Sequence, residues 1–346
     1  MPSVIKLAIK KRFLVEGGGR NSHEGFTPNV GGMAIFAGLL LANQYFLFYF
    51  FDTFQNFEIS SDFEVQLKSY LIITAGSIVM FIMGLIDDIS ELGSYFRFLV
   101  QAIVSFLIVY IGDLRIDNFS GVFGYYEVPE LFSIIFSISV IIFIINSFNL
   151  TDGLDGLAAS LGLFILTCFA IIFYLNGKYF DCTLACSGIA SLFAFWLYNR
   201  PPARIFMGDS GSLLIGFIIA CCAVRACGMT IVPSEKANPV FILCILAYPS
   251  IDTLRVFIVR IFARKSPFSA DRNHIHHLLI DKDFNHGWAS FFAVMYCAVL
   301  TFICFFLIDY PNISFFVMVS LAILFIVLPM ASFARSTTIR LLSFFK

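Results

Sequence analysis

The chain has 346 residues, of which 59% are hydrophobic and only 13% charged, and its formal net charge is −1. Soluble domains carry about 25% charged residues, so this composition excludes a protein whose main solvent is water. The near-neutral balance also offers no field for nucleic acid.

Apolar runs long enough to cross about 30 Å of hydrocarbon recur along nearly the whole chain. In order they fall at 30–51, 67–86, 95–112, 131–149, 157–175, 180–198, 210–229, 238–262, 288–308 and 313–334. The expectation is one all-α domain over 1–346, a polytopic transmembrane helical bundle of about ten spans. Breakers such as Pro201-Pro202 and Pro311-Asn312 separate neighbouring runs. Lys6, Lys10, Lys11 and Arg12 interrupt the first fifteen residues, so no cleavable leader is expected there. The nine cysteines lie in or beside apolar runs without CxxC pairs and read as small hydrophobes.

Basic residues set the orientation. With the amino-terminal segment 1–29 inside, seventeen Lys and Arg fall on the inner side and five on the outer. Both termini and the loop 263–287 are then cytoplasmic. All the unusual polar clusters also fall inside, although none was used to choose the topology.

Asp87 and Asp88 end a span. Adjacent carboxylates beside hydrocarbon repel each other and call for a metal, a partner or a shared proton. Asn146, Asn149 and Asp152 are spaced i, i+3, i+6, which a helix would place on one face. Gly153 and Gly156 flank Leu154 and Asp155, allowing a sharp turn and close approach of a ligand. Asn199 through Asp209 form a polar stretch before another apolar run. Asp209 suits either a helix N-cap or an oxygen ligand for magnesium, which combines few carboxylates with substrate phosphates and water. Asp252 and Arg255, at i and i+3 inside an apolar run, are expected to form an internal ion pair. Arg272, His274, His276 and His277 lie in a basic, donor-rich loop of the kind that holds phosphate oxygens; zinc is weakly supported there without cysteine. His286 reads as surface.

The ordered motifs DDxxE (87–91), NxxNxxDGxDG (146–156), the NxPPxxxFMGD stretch (199–209) and DRxHxHH (271–277) resemble the polyprenyl-phosphate N-acetylhexosamine-1-phosphate transferases. The likeness extends over roughly 4–335, and its HxHH form is similar to the branch that starts O-antigen, enterobacterial common antigen and teichoic acid linkers. The resemblance implies transfer of an N-acetylhexosamine-1-phosphate, GlcNAc-1-phosphate favoured, from a UDP-sugar to undecaprenyl phosphate in the bacterial inner membrane. It implies Mg2+, with Mn2+ as a substitute, held by Asp209 beside Asn149. It also implies that Asp87 and Asp88 activate or position the lipid phosphate. Substrate would meet Asn146, Asp152, Gly153, Leu154, Asp155, Asn199 and Phe206, the last stacking on uracil. Arg272, His274, His276 and His277 would grip the pyrophosphate and sugar. A homodimer is left open.

Three departures from that family stand out. Its first span has no counterpart ahead of residue 30; Asn21 and Asn29-Val30 replace basic residues; and Glu91 replaces the third acid of DDxxD. Two rivals remain at this point: a peptidoglycan-precursor translocase and, from another class, a membrane transporter.

Overall fold

The structure, a computed structural model, describes residues 1–2, 5, 14–16, 26–53, 61–232, 235–236, 238–262, 264, 274–281 and 284–325. A short antiparallel pair comes first, β1 (Leu14–Glu16) against β2 (Phe26–Pro28). Seven long helices follow: α1 (Gly31–Thr53), α2 (Ser61–Ser90), α3 (Ser94–Ile111), α4 (Glu130–Asn149), α5 (Leu157–Leu175), α6 (Tyr179–Asn199) and α7 (Gly208–Ala226). A second small pair, β3 (Thr230–Val232) and β4 (Glu235–Lys236), leads to α8 (Pro239–Ile245) and α9 (Ala247–Phe262). The short α10 (Ile275–Ile280), then α11 (His286–Phe306) and α12 (Pro311–Phe325), complete the described chain.

Eight of these helices are long and apolar enough to cross a membrane, and a ninth span results if α8 and α9 are taken together. The protein is a multi-pass helical membrane protein. Its outward faces agree: Leu41 is 72% exposed and Phe48 74%, a pattern that lipid, not water, accommodates.

One expectation about the spans needs correction. The run 238–262 is not one straight helix; α8 and α9 meet at 90°. Pro249 explains the break, because its ring clashes with the carbonyl four residues earlier, at Ile245 where α8 ends. The last expected span, 313–334, is matched by the shorter α12, and residues beyond Phe325 lie outside the described part.

Helix α7 forms the centre. Every residue from Ser210 through Val224 is buried, and α1, α2, α4, α5 and α6 surround it. Close packing at its first turn depends on Gly84 of α2, where a Cβ would collide with the backbone carbonyl of Asp209. The start of α7 is thereby drawn onto the end of α2, where the aspartate pair sits.

Candidate active site

The first turn of an α-helix leaves N–H groups without intrahelical partners. In α7 one distant carboxylate takes two of them. Asp88 Oδ1 accepts the N–H of Asp209 at 2.8 Å and Oδ2 that of Ser210 at 3.0 Å. The Asp152 carboxyl lies in the field of Asp88 and Asp209 at this same helix end. The N-cap reading of Asp209 is therefore corrected: Met207 holds the cap position, and the capping oxygens come from Asp88 of α2. Gly208 adopts φ +72°, and a Cβ there would stand 2.8 Å from both Asp88 oxygens, so glycine alone fits. Asn29 Nδ2 donates to Asp88 Oδ1 at 3.2 Å.

Segments 28–32 and 206–207 lie side by side. The N–H groups of Gly31 and Gly32 donate to the carbonyls of Phe206 and Met207, each at 2.9 Å, and Phe206 N–H donates to Pro28 O at 2.9 Å. These bonds fix the backbone of Phe206 beside the start of α7 and leave its ring half-buried.

Asp87 has a different environment from its neighbour. It is buried, pairs with Arg97 at 2.8 Å and accepts the N–H of Leu92 at 2.6 Å. The pair is thus divided, one carboxylate closing the α2–α3 turn and the other facing α7.

Asn149 Nδ2 donates to Asp209 Oδ1 at 2.7 Å and to Ser212 Oγ at 2.8 Å. Asn146 departs from the expected common face: its amide reaches Gln101 Oε1 at 2.7 Å, inside the α3–α4 contact. Because α4 ends at Asn149, Asp152 lies in the following turn rather than on the helix. Burial, then the fields of Asp209 and Asp88, push the Asp152 carboxyl up to about 7.

Asn199 is buried, its oxygen accepting Gly156 N–H at 2.9 Å and its amide donating to Ile205 O at 2.8 Å. Both bonds are to backbone, so this residue braces the Asp152–Gly156 turn against the 200–206 loop. Asp155 accepts Ala203 N–H at 3.1 Å and lies 3.4 Å from His286 Nδ1. Burial raises the Asp155 carboxyl, but the His286 contact and that N–H outweigh it and the net direction is down. His286, read as surface from sequence, is thus tied to the turn. Leu154 is buried beneath it.

The histidine segment folds inward. Asp252 Oδ2 lies 2.9 Å from His274 Nδ1, while Oδ1 accepts Ile275 N–H at 3.0 Å and is 3.2 Å from Arg255. The expected Asp252–Arg255 ion pair is present, yet the same carboxylate also anchors the histidine segment. His276 is 1% exposed with neither ring nitrogen bonded. Its Nε2 stands 2.6 Å from where a Cβ on Gly153 would be. Desolvation lowers the His276 pKa to about 3 despite the attraction of Asp252, so the ring is neutral. His277 is half-buried, its ring centroid 4.4 Å from that of His276. Arg272 lies outside the described residues.

Asp88, Asp152 and Asp209 thus meet at one helix end, and among the described residues none of the three has a salt-bridge partner. No group of three His, Cys, Asp or Glu side chains forms a closed metal cage there, again among the described residues. That donor set fits magnesium, which binds through one or two carboxylates and takes its other ligands from substrate phosphates and water. Among the described residues, Asp209 Oδ2 and Asn149 Oδ1 accept no hydrogen bond, which leaves both oxygens open to a cation.

Sequence reasoning missed three contacts: Asp87 with Arg97, Asp155 with His286, and Asp252 with the His274 segment. The available signal was charge complementarity across segments already placed on one membrane face, which identifies candidates but not pairs.

The sequence profile described as glycosyl transferase family 4 matches residues 70–227, the stretch from α2 through α7 that carries all the carboxylates at this helix end. A Bacillus subtilis (strain 168) protein described as a probable undecaprenyl-phosphate N-acetylglucosaminyl 1-phosphate transferase is 33% identical over 288 residues, covering 82% of this chain and 74% of its own. Undecaprenyl-phosphate alpha-N-acetylglucosaminyl 1-phosphate transferases of Yersinia pestis and Escherichia coli (strain K12) are 30% and 28% identical. Those matches cover 86% and 81% of this chain, and 78% and 72% of the relatives. Shared sequence of this extent places the chain in the polyprenyl-phosphate N-acetylhexosamine-1-phosphate transferases of glycosyl transferase family 4.

Proposed function

We propose that this protein transfers GlcNAc-1-phosphate from UDP-GlcNAc to undecaprenyl phosphate and releases UMP. The reaction takes place on the cytoplasmic face of the bacterial inner membrane, as the first membrane step of a surface glycan. One observation carries this reading: Asp88, Asn149 and Asp209, from three separate stretches of chain, are gathered at the end of α7 by direct hydrogen bonds. The names of the relatives favour GlcNAc over other hexosamines.

An oxygen of the lipid phosphate attacks the β-phosphorus of the UDP-sugar. One P–O bond forms as the bond to the UMP oxygen breaks, and the electron pair leaves with UMP. A phosphate monoester has a second pKa near 6, so the acceptor is already a nucleophile at neutral pH and no strong general base is required. Asp87 and Asp88 accordingly act by position: Asp87 fixes the α2–α3 turn and Asp88 holds the first turn of α7. Asp209 and Asn149 would hold Mg2+, which when bound supplies charge neutralisation for the diphosphate and the leaving UMP. Phe206 stacks on uracil, and the Asp152–Asp155 turn with the neutral His276 lines the diphosphate. Binding in this orientation supplies the in-line geometry.

The test is UMP release by the purified full-length protein with undecaprenyl phosphate and a panel of UDP-sugars, with and without Mg2+. Turnover with UDP-GlcNAc that requires the cation supports the reading; a protein that moves substrate across vesicles without releasing UMP refutes it.

A further inference from the structure

A cavity of about 390 Å3 lies between α5, α6 and the first half of α11, and of its lining only Asp155 belongs to the turn used in the proposed reaction. Its walls are Leu163, Phe193, Phe291 and Val294, and Phe193 and Phe291 are each about half exposed. These residues belong to helices that span the membrane, so lipid is the medium on the open side. The end nearest the active site is polar, with Asp155, Ser160, Arg200 and Ser290.

Arg200 gives this end its character. Its guanidinium carbon sits 6.0 Å from the ring centroid of Trp196. Trp196 is held in turn by an indole N–H bond to Ser160 Oγ at 3.0 Å and by stacking with Phe193. Arg200 is exposed and, among the described residues, has no carboxylate partner. The nearby carboxylate, Asp155, is directed instead to His286 and Ala203 N–H. An aromatic platform with a free cation at the membrane–water boundary and an apolar slot beneath it matches an anionic amphiphile.

We propose that this groove binds an anionic phospholipid, with the phosphate on Arg200 and an acyl chain between Phe193 and Phe291. The lipid is a resident of the fold rather than the acceptor substrate. Asp155 and Gly156 line the groove and belong to the Asp152–Gly156 turn, so its occupancy braces that turn from the membrane side. The site assignment rests on groove and charge alone, whereas the link to catalysis rests on the proposed function.

Fluorescence quenching tests the binding directly. The chain has two tryptophans, Trp196 and Trp288, and Trp288→Phe leaves Trp196 as the single reporter. The full-length protein is placed in phosphatidylcholine nanodiscs containing a small fraction of acyl-brominated phosphatidylglycerol or acyl-brominated phosphatidylcholine. Quenching of Trp196 should favour phosphatidylglycerol about fivefold in apparent affinity, the weight of one basic residue at an anionic surface. Arg200→Gln should abolish that preference, and Leu163→Phe, which narrows the apolar slot, should weaken quenching by both lipids. Equal quenching by the two lipids, or a preference that survives Arg200→Gln, would overturn the site. Relief of quenching by undecaprenyl phosphate would overturn the assignment of occupant and give the groove to the acceptor. UMP release, measured separately, leaves these outcomes independent of the proposed reaction.

Discussion

The carboxylate of Asp88 accepts the backbone N–H groups of Asp209 and Ser210, at 2.8 and 3.0 Å, across 121 and 122 positions of sequence. A residue that the family resemblance assigns to the lipid phosphate also caps the central helix.

Asp88→Ala should therefore lower stability as well as turnover. Loss of a helix cap costs about 1–2 kcal/mol, and Asp88→Asn, which keeps an acceptor oxygen, should recover part of that loss. Thermal unfolding in detergent checks this. An Asp88→Ala protein that unfolds at the wild-type temperature would show that the cap contributes nothing.

Asp209→Asn should leave the protein folded while reducing turnover by roughly 10²–10³, the scale seen when one electrostatic stabiliser is removed from an active site. The N–H groups of Asp209 and Ser210 are already bound by Asp88. The helix end consequently has little left to offer a diphosphate, and Mg2+ should be indispensable. Titration of Mg2+ against UMP release is the measurement, and an unaltered Mg2+ response in Asp209→Asn would contradict the assignment.

Phe206→Ala should act mainly on the nucleotide. Stacking of one base on an aromatic ring contributes about 1–3 kcal/mol, so KM for the UDP-sugar should rise roughly 5- to 100-fold. KM for undecaprenyl phosphate should stay constant. A change confined to the lipid KM would assign Phe206 to the wrong substrate.

His276 predicts an acid sensitivity. Its pKa is lowered to about 3 in the fold, against an ordinary value of 6.5. Between those values the unfolded chain binds a proton that the folded chain excludes, so stability falls as pH drops below 6.5. The limiting slope is about 1.4 kcal/mol per pH unit. Unfolding temperatures at pH 7 and pH 5 should converge in His276→Phe relative to wild type. Equal acid sensitivity in the two proteins would show that His276 is charged in the fold.

Much of the architecture was legible in the sequence because bilayer thickness imposes a length on every span. Residues 131–149 and 157–175 were placed almost as α4 and α5 occur. The bend at Leu246 was not read, although Pro249 signalled it, because composition over 238–262 is as apolar as in a straight span. The site was legible as residue types gathered on one face. Its wiring was not: nothing local to Asn146 says that it turns to Gln101 while Asn149, one turn later, turns to Asp209. Such choices are made by neighbouring helices, and the spacing i, i+3 describes only the helix itself.

The right-angle joint between α8 and α9 has a further consequence. Seven helical residues reach only about 10 Å, so α8 alone falls well short of a bilayer. Bare peptide groups at such depth are tolerated only where protein surrounds them. Leu246, Ala247 and Tyr248 are buried, and the Cys297 thiol of α11 takes the Tyr248 N–H at 3.3 Å. The joint is a fixed bracket: Pro249 can neither donate to the Ile245 carbonyl nor pass it without a clash, and protein surrounds the peptide groups at the bend. Asp252 rides on the arm beyond it, so the reach of the histidines over the aspartates is set inside the membrane and not by the loop that carries them.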